Sequence, residues 1–268
     1  SAAADDRRFL LFNPIAKMKV TSEGERVIDL LWEVIAAKGF EKDTYFEQAT
    51  RHIRTLPKLE GTVHVNLALV LKFLPAYAAA AAGRAANHPP VPVRLDPADD
   101  AFLFAQGSAS GLSRIGFPDW RGAFLRFRHL PNVATFLAQV QAFGQLMATA
   151  GPQGAQVKDL DFLLTIGQIF TQAVYAQLVA EAAALALDGA PDGKRLGTTS
   201  ACDGLTEQHV DRMFAVFVQD VSEYAVALHG QASATDAQRA GALTLGRAPA
   251  VPAEAASALH AEIVAYAG

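Results

Sequence analysis

The sequence is nearly without cysteine: Cys202 is the single one among 268 residues. An internal disulfide framework and a metal site built on several thiolates are therefore excluded. The chain also lacks an excess of positive charge, since its formal net charge is −4. A protein of this charge has no basic field with which to attract nucleic acid or an anionic membrane. We expect neither as a partner.

Motifs for several common sites are absent as well. The seven histidines are scattered, and none stands at a helical metal-ligand spacing from another possible ligand, so no metal site is predicted. The glycines of residues 107–111 follow no strand, and Gly193-Lys194 lacks the rest of a phosphate-binding loop. No serine lies in the context of a nucleophile elbow.

Signals for export or membrane insertion are weak. The N-terminal residues carry Asp5 and Asp6 where a secretory signal carries bases. The longest apolar stretches, around residues 67–82 and 173–187, fall short of a membrane-spanning length or contain Glu and Gln. We therefore expect a soluble, cytoplasmic protein without a membrane span.

The N-terminal third of the chain shows helical periodicity. Apolar residues recur every three or four positions over residues 15–37, and Gly39 is placed to end that helix. A short second helix follows, capped by Asp43 or Thr44. A third helix is predicted from Thr62 to about residue 82.

Longer amphipathic segments follow a stretch rich in proline and turn residues. They lie within residues 132–150, 157–189 and 206–230. Alternating strand patterns are nearly absent, so an all-α fold is predicted. We divide it into residues 1–83 in one helical bundle, residues 84–118 as a linker packed on the domains, and residues 119–268 as a second helical domain.

Aromatic residues in and beside the linker indicate that it packs against the folded domains. These residues are Phe102, Phe104, Phe117 and Trp120. Apolar stripes on the later helices predict ordinary core packing. Their members are Phe136, Leu137, Val140, Phe143 and Leu146 on one segment and Phe162, Ile166, Phe170 and Val174 on the next.

A carboxylate stands before the third helix where helix-start chemistry alone does not require one. Glu60 is followed by Gly61, which permits a sharp turn or a close approach of the backbone, and by Thr62, which can cap the helix. Apolar neighbours such as Leu59 and Val63 predict poor hydration, which raises a carboxyl pKa, while the helix N-terminus lowers it. Such a group suits removal of a weakly acidic C–H proton. The alternative is a carboxylate that merely complements the helix dipole.

The stretch AAKGFEKDTYFEQATRHIRTLPKLEGTVHVN resembles the C-terminal helical region of acyl-CoA dehydrogenases. Those enzymes have a glycine-rich turn ending in Gly-Phe or Gly-Tyr, a short helix containing Arg-Asp, and an aromatic-Glu-Gly-Thr step that opens the next helix. Gly39-Phe40 matches the turn, and Glu60-Gly61-Thr62 matches the step. Arg51 stands nine residues before Glu60, as in the family. The resemblance covers residues 12–75.

This resemblance implies an FAD-dependent dehydrogenation of an acyl-CoA thioester to the 2-enoyl-CoA. Glu60 would remove the α-proton while the β-hydrogen leaves as hydride to the flavin. The other implied roles belong to cofactor binding and positioning: Gly61 and Thr62 against the flavin, Asn66 hydrogen-bonded to the cofactor, Gly39 and Phe40 near the FAD diphosphate of a neighbouring subunit, and Arg51 in positioning.

The resemblance also implies partners, because the rest of the dehydrogenase has no counterpart here. We expect the remaining dehydrogenase domains or a partner subunit, an electron-transfer flavoprotein or oxygen as acceptor, and a homo- or hetero-oligomer. Residues 100–268 are similar in position and architecture to the additional helical domain of very-long-chain dehydrogenases and acyl-CoA oxidases. The expected fold is thus an incomplete dehydrogenase-type bundle followed by a second bundle.

A second function is favoured by departures from the family pattern. Ala36 and Ala37 replace two glycines of the turn, and Leu59 replaces the aromatic residue of the step. These residues favour a non-catalytic helical module that keeps the dehydrogenase scaffold for oligomerisation.

Overall fold

The computed structural model describes residues 7–59, 61–81, 115–188 and 204–251, together with residues 256, 257, 260, 261 and 264. Every regular element in these residues is helical, which confirms the predicted all-α class. The α-helices are α1 (Phe9–Ile35), α2 (Tyr45–Thr55), α3 (Val63–Val70), α4 (Leu74–Ala81), α5 (Pro131–Ala150), α6 (Leu160–Asp188), α7 (Glu207–Gly230) and α8 (Asp236–Leu243). The dehydrogenase type of bundle stays a prediction.

The chain divides into two compact units. The first comprises Ser1–Trp120 with Gly154–Tyr175, and the second comprises Arg121–Gln153 with Ala176–Gly268. Residues 154–175 thus group with the N-terminal part of the chain rather than with the helices that follow them. The predicted domain boundaries remain a prediction, and most of the predicted linker lies outside the described residues.

In the first unit, α1 is the helix on which the others pack. It begins at Phe9 rather than at residue 15, and it buries Leu11, Ile15 and Met18 beside α3. Helix α2 lies against α1 at Gly24, where an added Cβ would come within 2.6 Å of the Ile53 side chain. The glycine that weakens α1 locally therefore permits the close approach of α2.

The predicted third helix is present as α3 and α4, joined by a 3₁₀ turn at Leu71–Phe73. Thr62 is the N-cap of α3 with an extended backbone, but its side chain accepts no capping hydrogen bond. Thr44 does cap α2, because its hydroxyl accepts a hydrogen bond from the backbone N–H of Glu47. One of the two predicted caps therefore acts through its side chain and the other through position alone.

Aromatic packing closes the first unit. Phe117 is buried, and its ring meets those of Phe12, Phe73 and Tyr77 with centroids 6.1, 6.2 and 5.8 Å away. Trp120 stacks on Tyr77 at 5.9 Å with the two planes 3° apart. Phe117, near the end of the predicted linker, is therefore packed within the first unit, and the packing of the linker as a whole stays a prediction. Phe102 and Phe104 lie outside the described residues.

The second unit has its own aromatic core, formed where α5, α7 and α8 pack together. The rings of Phe136 and Phe214 are 5.4 Å apart and nearly perpendicular, an arrangement that aromatic pairs prefer. On the same helix, α5, the buried Gln139 amide donates to the carbonyl oxygens of Val218 and Leu245 at 3.1 and 2.8 Å. The predicted stripes of α5 and α6 are buried, except for the half-buried Leu137.

Two helical stretches, Val63–Ala80 and Leu160–Asp188, are long and apolar enough to cross a bilayer when judged by length and composition alone. This differs from the expectation that the longest apolar stretches are too short or too polar. Buried core helices pass the same test, and 61% of the most apolar 18 residues of the second stretch are buried. The predicted absence of a membrane span stays a prediction.

An ionic cluster on the surface of the second unit joins three elements. The Arg126 guanidinium donates to Asp188 at the end of α6 and to Glu207 at the start of α7, at 2.8 and 2.5 Å. His129 lies 2.9 Å from the second oxygen of Glu207. Hydrogen bonds from Arg126 lower the pKa of Asp188, and hydrogen bonds from His129 and Arg126 lower the pKa of Glu207.

These lowered pKa values make a part of the stability depend on acid. A carboxylate whose pKa is lower in the folded than in the unfolded state stabilises the fold at pH values above its unfolded pKa of about 4. This stabilisation is lost as the pH falls through the folded-state pKa. We expect Arg126→Met to lower the free energy of unfolding at pH 7 and to have a smaller effect at pH 3. Urea unfolding at both pH values measures the difference. Arg247→Met, whose guanidinium donates to the carbonyl oxygen of Gly246, is the control. An Arg126→Met effect that is equal at both pH values contradicts the expectation.

Candidate functional site

The predicted base, Glu60, lies outside the described residues, although the residues on both sides of it are described. The candidate site is therefore built from residues 56–59, which leave α2, and residues 61–66, which open α3. A 3₁₀ turn at Leu56–Lys58 starts this segment, and Leu59 then has an extended backbone. We call residues 56–62 the connecting segment.

The connecting segment is bound to α1 by one ammonium group. Lys17 Nζ donates to the carbonyl oxygens of Pro57, Leu59 and Gly61 at 3.2, 2.5 and 2.7 Å. A lysine ammonium has three donors, so all of its hydrogen-bonding capacity is used by this backbone. Three carbonyl oxygens of residues that alternate along the segment therefore converge on one point of α1.

Gly61 has a local structural reason to be glycine. Its φ of 95° lies in the left-handed region, and an added Cβ would stand 3.1 Å from Oδ1 of Asn66. The buried Asn66 also donates from Nδ2 to the Gly61 carbonyl oxygen at 3.2 Å. Asn66 thus stabilises the turn at the start of α3. The cofactor contacts assigned to Gly61, Thr62 and Asn66 stay predictions.

The surface beside the connecting segment is apolar. Leu56, Leu59 and Val65 are 42%, 51% and 61% exposed. The sequence predicts poor hydration around the carboxylate, but these apolar neighbours are open to solvent, so that expectation stays a prediction. Apolar side chains at such exposure leave room for an apolar ligand or for another part of the protein to cover them.

The predicted glycine turn is present as a 3₁₀ turn at Ala36–Phe40 that follows α1 directly. Ala36 has φ 54° and ψ −133°, which is a conformation that glycine adopts freely and other residues avoid. This is the first of the two positions where the resembling family has glycine. The backbone of the turn therefore keeps a glycine conformation although the residue is alanine.

Gly39 is required by a neighbouring tryptophan. An added Cβ would lie 1.9 Å from Nε1 of Trp32, so only glycine fits beneath the indole. Phe40 packs on the same indole, with ring centroids 5.2 Å apart, and is itself 76% exposed. The face of Gly39 is thus occupied by Trp32, and a ligand at this turn would contact Phe40 and the backbone. Both assignments to the FAD diphosphate stay predictions.

Arg51 lies on the exposed side of α2. Its guanidinium donates to both carboxylate oxygens of Glu47, one helical turn earlier, at 2.6 and 2.9 Å. An exposed pair of this kind contributes little to stability. The positioning role that the resemblance assigns to Arg51 stays a prediction.

The two predicted halves of the cofactor site are far apart along one helix. Lys17, which binds the connecting segment, and Ala36, which starts the turn, are nineteen residues apart in the sequence. At a rise of about 1.5 Å per residue, this corresponds to about 28 Å along α1. The connecting segment lies along α1 from Lys17 to Glu25, which pairs with Lys58, and the turn follows the C-terminal end of α1, so the two form separate surfaces within one chain.

Lys17 and Trp32 are the residues that sequence analysis misses. No local pattern pairs a lysine with backbone carbonyls some 40 residues away. Trp32 looks like an ordinary helix position until the turn folds back beneath it. Among the described residues, no group of three or more His, Cys, Asp and Glu side chains could hold a metal ion.

Comparison of the chain with protein-family models, with curated proteins and with solved structures gave no significant match.

The conformation of Ala36 yields a stability prediction. Removing a strained φ recovers about 1–3 kcal/mol, and the greater freedom of glycine in the unfolded chain costs about 0.4–1 kcal/mol. We expect Ala36→Gly to raise the free energy of unfolding by about 1 kcal/mol. Ala37→Gly, at a neighbouring residue without positive φ, should lower it by about 0.5–1 kcal/mol. Chemical denaturation measures both, and a destabilised Ala36→Gly variant contradicts the strain argument.

Proposed function

We propose that this chain is the C-terminal portion or a subunit of an FAD-dependent acyl-CoA dehydrogenase with Glu60 as the base. The observation that carries the proposal is the glycine-type backbone at Ala36, in the turn where the resembling enzymes have glycine. A second turn of this kind, at Gly61, immediately precedes the Thr62 cap of α3. Both glycine-type positions coincide with those of the family pattern.

The proposed chemistry needs a base that is held close to the α-carbon of a thioester. The Glu60 carboxylate accepts the α-proton, a carbon–carbon double bond forms, and the β-hydrogen leaves as hydride. FAD, when bound, supplies the acceptor for that hydride. The exposed apolar residues Leu56, Leu59 and Val65 suit this chemistry because, once substrate and cofactor cover them, the carboxylate between them loses water and becomes more basic.

The described residues fit FAD better at the connecting segment than at the turn. Beside the segment, the apolar surface of Leu56, Leu59 and Val65 is open to a flat ring. At the turn, Trp32 fills the space over Gly39, and the N–H groups of Ala36 and Glu41 are bonded to the carbonyls of Trp32 and Lys38, so the exposed Phe40 is the side chain that remains for a cofactor. Because these surfaces are separated along α1, we propose that each serves a different FAD molecule and that the turn contacts the cofactor of a neighbouring subunit.

The remaining partners follow from this proposal. An acyl-CoA thioester is the substrate, the other dehydrogenase domains or a partner subunit complete the site, and an electron-transfer flavoprotein or oxygen accepts the electrons. The proposed location is the cytoplasm. No partner is a nucleic acid, in keeping with the net charge of −4.

Substitution of Glu60 tests the enzymatic proposal in the whole protein that contains this chain. Glu60→Gln keeps the size of the side chain and removes its basicity, so kcat for acyl-CoA dehydrogenation should fall by about 10²–10⁴-fold while flavin remains bound. Glu41→Gln, at an exposed carboxylate in the same unit, should leave kcat unchanged. Steady-state turnover and the visible flavin spectrum are measured together. Retained activity in Glu60→Gln would sink the assignment.

A second function, as a non-catalytic helical assembly module, is favoured by an exposed apolar stripe on α1. Val20, Val27 and Val34 recur every seven residues and so share one face of the helix. They are 58%, 52% and 82% exposed, and Leu30 and Leu31 beside them are 61% and 42% exposed. This face is directed away from the buried Ile15 and Met18. An apolar stripe of this kind suits packing against another helix.

The stripe yields a separate test by sedimentation velocity. Val27→Glu places a charge in the centre of the stripe, and we expect it to weaken an assembly formed through this face by at least about a hundredfold in Kd. Val226→Glu, at a comparably exposed valine on α7, should leave the assembled mass unchanged. If the protein acts only in assembly, Val27→Glu should lower the sedimenting mass of the assembly and Glu60→Gln should leave it unchanged. An unchanged mass in Val27→Glu rejects this face as an assembly surface.

A further inference from the structure

We infer that Lys17 is the positioning residue of the proposed base: its ammonium sets the backbone on both sides of Glu60. This inference rests on the proposed function and assigns Lys17 no contact with substrate or cofactor. Its evidence is the bonding of Lys17 Nζ to the carbonyl oxygens of Pro57, Leu59 and Gly61.

Covalent connectivity gives these bonds their importance. The Leu59 carbonyl belongs to the peptide group that contains the Glu60 nitrogen, and the Gly61 carbonyl belongs to the peptide group that contains the Thr62 nitrogen. The bonds to these two oxygens, at 2.5 and 2.7 Å, are the shortest of the three. One cation on a helix therefore restrains the chain immediately before and immediately after the proposed base.

Charge strengthens this restraint. Hydrogen bonds from an ammonium to neutral acceptors are stronger than bonds between neutral groups. The connecting segment has only a short 3₁₀ turn of its own, and of the three carbonyl oxygens that of Gly61 also accepts from Asn66. Lys17 supplies three charged donors to these carbonyls. It does so from α1, a long helix whose backbone is held by its own hydrogen bonds.

A second cation on the same segment gives the matched comparison. Lys58 Nζ forms an ion pair with Glu25 of α1 at 2.5 Å, and its side chain is 62% exposed. This pair also links the segment to α1, but through a side chain that points to solvent and without a bond to the carbonyls of residues 57–61. Loss of Lys58 should therefore cost a little stability and leave the backbone around Glu60 in place.

The position of a catalytic base affects the chemical step far more than substrate binding. A displacement of about 1 Å can reduce turnover by about 10²-fold. Loss of Lys17 should therefore lower kcat much more than it changes KM, because the backbone beside Glu60 shifts while Leu56 at the end of α2 and Val65 in α3 keep their places. A residue that contributed only to global stability would leave kcat of the folded enzyme unchanged.

The experiment uses the whole FAD-containing protein with three variants: Lys17→Met, Lys17→Arg and Lys58→Met. We expect Lys17→Met to lower kcat for an acyl-CoA substrate by about 10²-fold with KM changed less than about twofold. Lys17→Arg keeps the charge and several donors, although its planar fork fits three carbonyls less well, so its kcat should lie between those of Lys17→Met and the wild type. Lys58→Met should keep the wild-type kcat.

Hydrogen exchange on the same samples gives a readout independent of turnover. In Lys17→Met, the amides of residues 59–62 should exchange faster than in the wild type, while the central amides of α1 and α3 keep their protection. Lys58→Met should match the wild type at residues 59–62. If Lys17→Met does not fold, Lys17→Arg carries the same two measurements with a smaller expected change.

The outcomes separate this inference from the proposed function. If Glu60→Gln is inactive while Lys17→Met turns over and exchanges like the wild type, the role of Lys17 is overturned and the proposed function stands. If Glu60→Gln is active, the proposed function falls. In that case faster exchange at residues 59–62 in Lys17→Met still shows that Lys17 sets the segment, and unchanged exchange refutes that as well.

Discussion

Three backbone carbonyls that converge on the Lys17 ammonium are the interaction on which the candidate site depends. Helix α1 is the scaffold of the first unit, and the connecting segment between α2 and α3 would otherwise have few bonds of its own. The cation supplies a point of attachment to α1 for that segment. Its effect passes along the covalent chain to the start of α3, where Gly61 and Asn66 complete the turn.

Glycine conformation is the second constraint, and it operates at two places beside α1. Next to Lys17, Gly61 needs a positive φ to lead the segment into α3. At the C-terminal end of α1, Ala36 adopts a glycine conformation without being glycine, and Gly39 is needed because Trp32 lies over it. Lys17 and Ala36 are about 28 Å apart along the helix. A single helix thus carries two distinct surfaces.

Much of the fold is predictable because it depends on local periodicity and capping. The third helix from Thr62, the cap at Thr44 and the buried stripes of α5 and α6 all follow from patterns within a few residues of one another. The start of α1 is wrong by six residues, since Phe9 and Leu11 join the helix by packing inward and not by periodicity over residues 15–37. The grouping of residues 154–175 with the N-terminal unit is likewise a matter of long-range packing, which no local pattern encodes.

The sequence alone determined that this protein is helical. It also singled out residues 60–62, where a carboxylate precedes a helix start, and residues 36–40, where a turn ends the first helix. Those conclusions need only the spacing of apolar residues and the types of residue that turns require. The tertiary structure decided what supports them: Lys17 beneath the connecting segment, Trp32 over Gly39, and Ile53 against Gly24. Each of these pairs joins residues that are distant in the chain or brought together by a turn. Such contacts form only when the folded backbone brings a donor or a ring to the right place.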